Sequence, residues 1–163
     1  QHMIAAAPLG GTAEIRHAFL IRPPVEVAAS FHEKLPTMTP DDLGFRRQAE
    51  LFEEVADRAG CRPPVILASD VLKDPGRALR ALCHGLGVDY DPSMLSWSSG
   101  LRETDGVWAK HWYNAVVCST GFAVPERRAA SDLTTDELPD HVSAAIAECD
   151  PYISTMMAHR TEV

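Results

Sequence analysis

The first hundred residues alternate short apolar runs with stretches in which apolar positions return at helical spacing. Ile15–Ile21 is apolar after Arg16 and His17, the pattern of a strand covered on both faces. Arg22 stands at its carboxyl end and Pro23-Pro24 follow at once. The second proline suits the first position of a helix, where a missing amide hydrogen costs nothing and φ is already set. Val25, Ala28, Ala29 and Phe31 or His32 then predict a helix to about Leu35, folded back over the strand. A loop through Pro36 and Pro40 leads to Asp42, predicted to cap a long helix to Ala59 with Phe45, Ala49, Phe52, Ala56 and Ala59 as its apolar stripe. Arg46, Arg47, Glu50, Glu53, Glu54, Asp57 and Arg58 form its solvated face, and Gly60 ends it.

After the turn Cys61-Arg62-Pro63-Pro64, Val65–Ala68 reads as a second buried strand. Asp74 caps the next helix, with Pro75 first, Ala78, Leu79, Leu82 and Leu86 as the buried stripe and Gly87 as the stop. Asp91-Pro92 opens a short helical turn to Leu95, and Trp97–Arg102 is a Ser/Gly-rich connection. Gly106–Tyr113 gathers aromatic and basic residues and predicts a core-edge helix with Trp112 and Val116 packed inward; Lys110 and His111 are candidate pocket residues. Ala123–Thr135 crosses the surface. Two short helices follow, Asp140–Cys149 and Pro151–His159, split at Asp150-Pro151 and docked by Ile146, Ile153 and Met157.

This order predicts an α/β domain, a parallel sheet flanked by helices, over residues 1–163, with 123–163 as a C-terminal surface segment carrying the short helices. Two parallel strands do not make a stable sheet alone, because such sheets need neighbours and cover on both faces. The remaining strands are expected from an N-terminal part absent from this sequence, from a partner such as a second copy, or from weaker strands in the chain.

Composition narrows the function more than the fold. A length of 163 residues and 45% apolar content suit one globular domain. A formal charge of −8, with no Lys/Arg run longer than a pair, argues against nucleic-acid or anionic-membrane binding. The four cysteines, Cys61, Cys83, Cys118 and Cys149, show neither Cys-x-x-Cys nor zinc-ligand spacing, so they read as reduced thiols and no metal site is expected. Met3–Leu9 is too short to span a bilayer and lacks the charged start of a signal peptide, which makes the cytoplasm the default location.

Ligands of open α/β sheets gather outside the carboxyl ends of the strands, where Arg22 stands, and a helix N-terminus there favours an anion. Ser30 lies six helical steps beyond Pro24, only ~9 Å along the axis. Guanidinium and hydroxyl are therefore placed to share a phosphate. The competing reading is an arginine fringing a sheet and a serine tolerated in mid-helix.

Arg22, Pro24, Glu26 and Ser30 fit the pattern Arg-x-Pro-x-Asp/Glu-x-x-x-Ser, which resembles the 3′-phosphate-binding motif of sulfotransferases that use 3′-phosphoadenosine-5′-phosphosulfate. Asp70–Gly87 resembles the family segment in which a strand, Tyr-Glu-Asp, a spacer, Asp-Pro and a Leu-rich helix follow one another, although Ala68 and Ser69 replace the tyrosine and glutamate. Gln1-His2-Met3 resembles the last three places of a Lys-x-His-aliphatic motif whose histidine is the catalytic base; a cloning remnant would look the same. Arg102, Gly106 and Trp108 loosely resemble the late Arg-Lys-Gly loop, with its following Gly-x-Trp, that clamps the 3′-phosphate, although the spacing is short and the Arg-Lys-Gly itself is missing.

The resemblance, over roughly residues 2–122, implies a P-loop NTPase/sulfotransferase-like fold without its N-terminal phosphosulfate-binding unit, since no Walker motif is present. It implies His2 as base, Arg22, Ser30 and Arg102 as nucleotide ligands, 3′-phosphoadenosine-5′-phosphosulfate as co-substrate and a small-molecule hydroxyl or amine as acceptor. Activity of this chain alone is doubtful without the lysine-bearing loop. The rivals are a non-catalytic phosphate-binding or self-association module and a nucleotide kinase-like phosphotransferase.

Overall fold

The computed structural model describes residues 15–32, 35–107, 114–123, 135 and 138–163. His2, Trp108, Lys110, His111 and Trp112, on which part of the sequence reading rests, lie outside the described residues.

β1 (Phe19–Ile21) and β2 (Val65–Leu67) pair in parallel, with Phe19 against Val65, Leu20 against Ile66 and Ile21 against Leu67. The Phe19 amide adds a hydrogen bond to the Pro64 carbonyl at 2.9 Å. β2 is buried throughout, as a run of three apolar residues demands, whereas Leu20 on β1 is 57% exposed. The C-terminal tail lies on the other edge of β2, through a parallel bridge between Val65 and Arg160 and a 2.8 Å bond from the Thr161 amide to the Val65 carbonyl. The Leu20 carbonyl accepts a 2.9 Å hydrogen bond from the Gln48 side-chain amide, which satisfies an edge acceptor without another strand.

The first strand is shorter than its apolar run predicts. Ile15 is exposed, and the Arg16 guanidinium turns away to the carbonyls of Leu86 (2.6 Å) and Gly87, a cation seated on the C-terminus of another helix.

Between the strands run α1 (Pro24–His32), α2 (Pro40–Leu43) and α3 (Phe45–Ala59). The predicted single helix starting at Asp42 is two helices. Gly44 sits between them at φ 77°, a left-handed conformation that glycine adopts without a Cβ penalty and that interrupts the helix. Thr39 is the cap of α2, and the Asp42 carboxylate accepts from the Thr39 hydroxyl at 2.7 Å and the Thr39 amide at 2.8 Å. These bonds, the hydroxyl's first, hold the Asp42 carboxyl below the usual aspartate range. Along α3, Leu51 and Val55 are buried with Phe45, Ala49 and Phe52, while Ala59 is exposed. Its polar face carries the ion pairs Arg46–Asp41, Arg47–Glu50 and Arg58–Glu54.

β2 runs straight into α4 (Ala68–Lys73), a helix that sequence patterning does not show. α5 (Pro75–Leu86) begins as expected, with the Asp74 carboxylate accepting the Arg77 amide at 3.0 Å, and ends at Gly87 with φ 61°. A 3-10 turn, Pro92–Leu95, is capped by Asp91, whose carboxylate accepts the Ser93 amide at 2.8 Å. α6 (Asn114–Val117) follows. Val116 is 56% exposed, contrary to the inward packing expected of it.

The two predicted C-terminal helices are one, α7 (Asp140–Met157), with Pro151 inside it. Proline removes one i→i−4 bond and costs a helix interior about 3 kcal/mol. The continuous face Val142, Ala145, Ile146, Cys149, Ile153 and Met156 offsets that loss, since burying each of Val142, Ile146, Ile153 and Met156 contributes roughly 1.5–3 kcal/mol. Met156, and not Met157, is the terminal anchor. α7 packs on α3 and α1 and touches α2 and β1, so this helix docks on the body through Ile146 and Ile153 as expected and contributes to the core. At the centre Phe52, fully buried, meets Phe19 edge-on at 5.5 Å and stacks on His159 at 5.4 Å. Cys83 and Cys149 are buried and Cys61 and Cys118 exposed, all as free thiols. Burial, then the neighbouring Asp150, Glu148 and Asp41 carboxylates, push the Cys149 thiol up.

Candidate functional site

The parallel register brings the ends of β1 and β2 to the same edge, Ile21 beside Leu67, so Arg22 enters the chain where α4 begins on the neighbouring strand. The Arg22 side chain is 43% exposed, and both its Nε and one Nη lie 3.3 Å from a single oxygen of Glu26, itself 14% exposed. Arg22, Glu26 and Ser30 follow at intervals of four residues, so Glu26 and Ser30 occupy one face of α1, a turn apart. Ser30 is exposed. The structure thus joins Arg22 to Glu26 directly and puts Ser30 one turn beyond.

The start of α1 offers an anion few amides. Pro23 and Pro24 have no amide hydrogen, and the amides of Glu26 and Val27 turn back to the Pro23 carbonyl at 3.1 and 3.3 Å. The donors this corner exposes are therefore the Arg22 guanidinium and the Ser30 hydroxyl more than backbone amides.

Arg102 stands elsewhere. It is exposed, its backbone amide donates to the Asp105 carboxylate at 2.9 Å, and no hydrogen bond or ion pair among the described residues links it to Arg22 or Ser30. It lines a cavity of about 190 Å³ with Trp97, Ser98, Gly100, Asp105, Val116 and Val117. The cavity wall is held by the Trp97 indole, which donates to the Ser119 hydroxyl at 3.0 Å and meets Phe122 edge-on at 5.3 Å. A second cavity of about 350 Å³, lined by Thr39, Pro40, Asp41, Arg46, Glu148, Cys149 and Tyr152, contains none of the expected site residues.

At the end of β2, Asp70 is committed to structure. Arg160 Nη2 lies 2.8 Å from Oδ1 and 2.7 Å from Oδ2 of its carboxylate, tying the C-terminal tail to α4. Sequence reasoning missed two partners, Glu26 for Arg22 and Arg160 for Asp70. The first had a signal in the i, i+4 spacing of opposite charges; the second, 90 residues apart, had none. Among the described residues there is no group of three or more His, Cys, Asp or Glu side chains able to hold a metal ion, and no helix long and apolar enough to cross a membrane.

The parallel strand pair, its flanking helices and the exposed arginine at the strand end define an α/β domain, and comparison with known proteins supplies the family. The sulfotransferase domain family matches residues 1–157, and the chain belongs to that family. Two Arabidopsis thaliana proteins are similar to it. Branched-chain-amino-acid aminotransferase-like protein 2 is 34% identical over 114 residues, 70% of this chain and 20% of that protein. Branched-chain-amino-acid aminotransferase-like protein 1 is 37% identical over 112 residues, 69% of this chain and 20% of that protein. The chain therefore spans about a fifth of the length of these curated relatives. No solved structure matches.

Proposed function

We propose that this domain binds 3′-phosphoadenosine-5′-phosphosulfate as a sulfuryl donor, with Arg22 and Ser30 on its 3′-phosphate, and serves transfer to a hydroxyl or amine of a small-molecule acceptor. The observation that carries the reading is Arg22, exposed at the carboxyl end of the parallel strand pair in a chain of the sulfotransferase family. The donor set suits the ligand. A guanidinium gives a planar, permanently charged fork for phosphate, and a serine hydroxyl adds a neutral donor without further charge.

In this reading the fold is P-loop-like. His2 is the proposed base, because an imidazole titrating near neutrality can accept the acceptor's proton as transfer proceeds. Arg102 is kept as a proposed nucleotide contact from its own cavity. The lysine-bearing loop that would neutralise the 5′ side is not among these residues, so activity of this chain alone is expected to be slow; loss of electrostatic stabilisation at a transferring group costs about 3–4 kcal/mol. A cytoplasmic location accords with a soluble nucleotide donor. The aminotransferase-like names of the plant relatives carry no activity here, since the shared stretch is a fifth of each.

A second reading is a non-catalytic phosphate-binding or self-association module, favoured by the exposed Leu20 on an edge strand and by the absence of Arg22 from the linings of both cavities described. Calorimetric titration with adenosine 3′,5′-bisphosphate separates the two. Saturable binding that falls about tenfold or more in Arg22→Ala supports the donor site. No binding by the wild type, or equal binding by both proteins, favours the second reading. Competition by ATP at equal strength would point to a phosphotransferase instead.

A further inference from the structure

We infer that Glu26 is a positioning residue for Arg22, holding the guanidinium so that its outer nitrogens face an incoming phosphate. The inference rests on the reading of Arg22 as a phosphate ligand and goes further, to the residue that makes the arginine competent.

An arginine side chain carries five N–H donors. One Glu26 oxygen receives two of them, from Nε and one Nη, both at 3.3 Å, which occupies the inner side of the fork. Three hydrogens remain, and the second on that Nη with one on the other Nη forms the end-on pair that matches two phosphate oxygens. A free arginine would be spread over many rotamers, and much of its binding energy would go into ordering it. Held at two nitrogens, it is ordered before the ligand arrives.

Three features keep Glu26 from acting simply as a rival anion. Its side chain is 14% exposed against 43% for Arg22, so the carboxylate is tucked below the guanidinium. It sits in the first turn of α1, where the helix dipole favours its charge without help from a cation. Helical side chains also lean toward the N-terminus, which aims Glu26 at Arg22 rather than at Ser30. The cost is residual repulsion between carboxylate and phosphate, which the gain in order outweighs.

Adenosine 3′,5′-bisphosphate and adenosine 5′-monophosphate are titrated calorimetrically against wild type, Glu26→Gln, Arg22→Ala and the double variant Glu26→Gln/Arg22→Ala, with thermal melting as a check of folding. The expected result is a loss of about three- to tenfold in affinity for the bisphosphate in Glu26→Gln, with the monophosphate unchanged. The double variant should bind the bisphosphate no more weakly than Arg22→Ala alone, because Glu26 has nothing left to position. A merely structural role would shift the melting temperature and weaken both nucleotides alike, which would overturn the inference. So would unchanged or tighter binding of the bisphosphate in Glu26→Gln. If Arg22→Ala itself binds like wild type, the underlying phosphate site fails; if Arg22→Ala loses binding and Glu26→Gln does not, only the positioning role fails.

Discussion

Asp70 and Arg160, 90 residues apart, meet across the edge of β2 with one guanidinium nitrogen 2.8 Å and 2.7 Å from the two carboxylate oxygens. Asp70 is 14% exposed and Arg160 37%, so the pair is only partly shielded from water. It fastens the tail whose Thr161 amide bonds the Val65 carbonyl, and His159 on the same tail stacks on Phe52. Removing one partner of a half-shielded charged pair strands the other, so Arg160→Ala and Asp70→Asn are each expected to lower stability by about 1–3 kcal/mol. Chemical denaturation of both single variants and the double checks this, with the double costing less than the sum of the singles.

The Thr39–Asp42 cap predicts a pH dependence. Asp42 titrates below the usual aspartate range because the Thr39 hydroxyl and amide stabilise its charged form. A carboxyl whose folded pKa is depressed contributes stability that is present above the unfolded value and is lost as pH falls through the folded one. Asp42→Asn is therefore expected to be less stable than wild type by a few tenths to about 1 kcal/mol at neutral pH, the charge being largely screened by water. The difference should close as pH drops below about 4, where the unfolded aspartate begins to protonate. Denaturation midpoints of both proteins across that range are the measurement; a gap that does not change with pH contradicts the assignment.

Pro151 gives a substitution that should raise stability. Alanine there restores an amide that can donate to the Ala147 carbonyl one turn back within α7, without disturbing the buried face. Part of the gain is offset because proline also restricts the unfolded chain. Pro151→Ala is expected to stabilise by about 1–2 kcal/mol, seen as a higher thermal midpoint. A lower midpoint would mean that α7 depends on the proline.

Local signals in the sequence carried well where the physics is local. Asp74, Pro75 and Gly87 bound α5 as read, and the run Val65–Leu67 is a strand buried throughout. Two of the misreadings come from tertiary contacts that override local preference, and a third from a local glycine signal passed over. Pro151 predicts a break, yet the buried row from Val142 to Met156 runs through it. Asp42 looks like a helix cap, yet Gly44 takes the left-handed turn that begins a separate helix. Ile15 belongs to an apolar run, yet pairing begins at Phe19 while Arg16 is drawn to the end of α5. For the candidate site, the placement of Arg22 at the end of β1 and of Ser30 on α1 was legible in the sequence, whereas the inner position of Glu26 and the separate cavity of Arg102 depend on three-dimensional packing.

The central claim is that Arg22 reads a 3′-phosphate, and the most direct test compares two nucleotides that differ only there. Adenosine 3′,5′-bisphosphate and adenosine 5′-monophosphate are titrated against wild type and Arg22→Ala in one buffer at fixed ionic strength. The wild type is expected to prefer the bisphosphate by about tenfold or more, and Arg22→Ala to lose that preference while keeping its affinity for the monophosphate. Equal affinity of the wild type for the two nucleotides, or a preference that survives in Arg22→Ala, would contradict it.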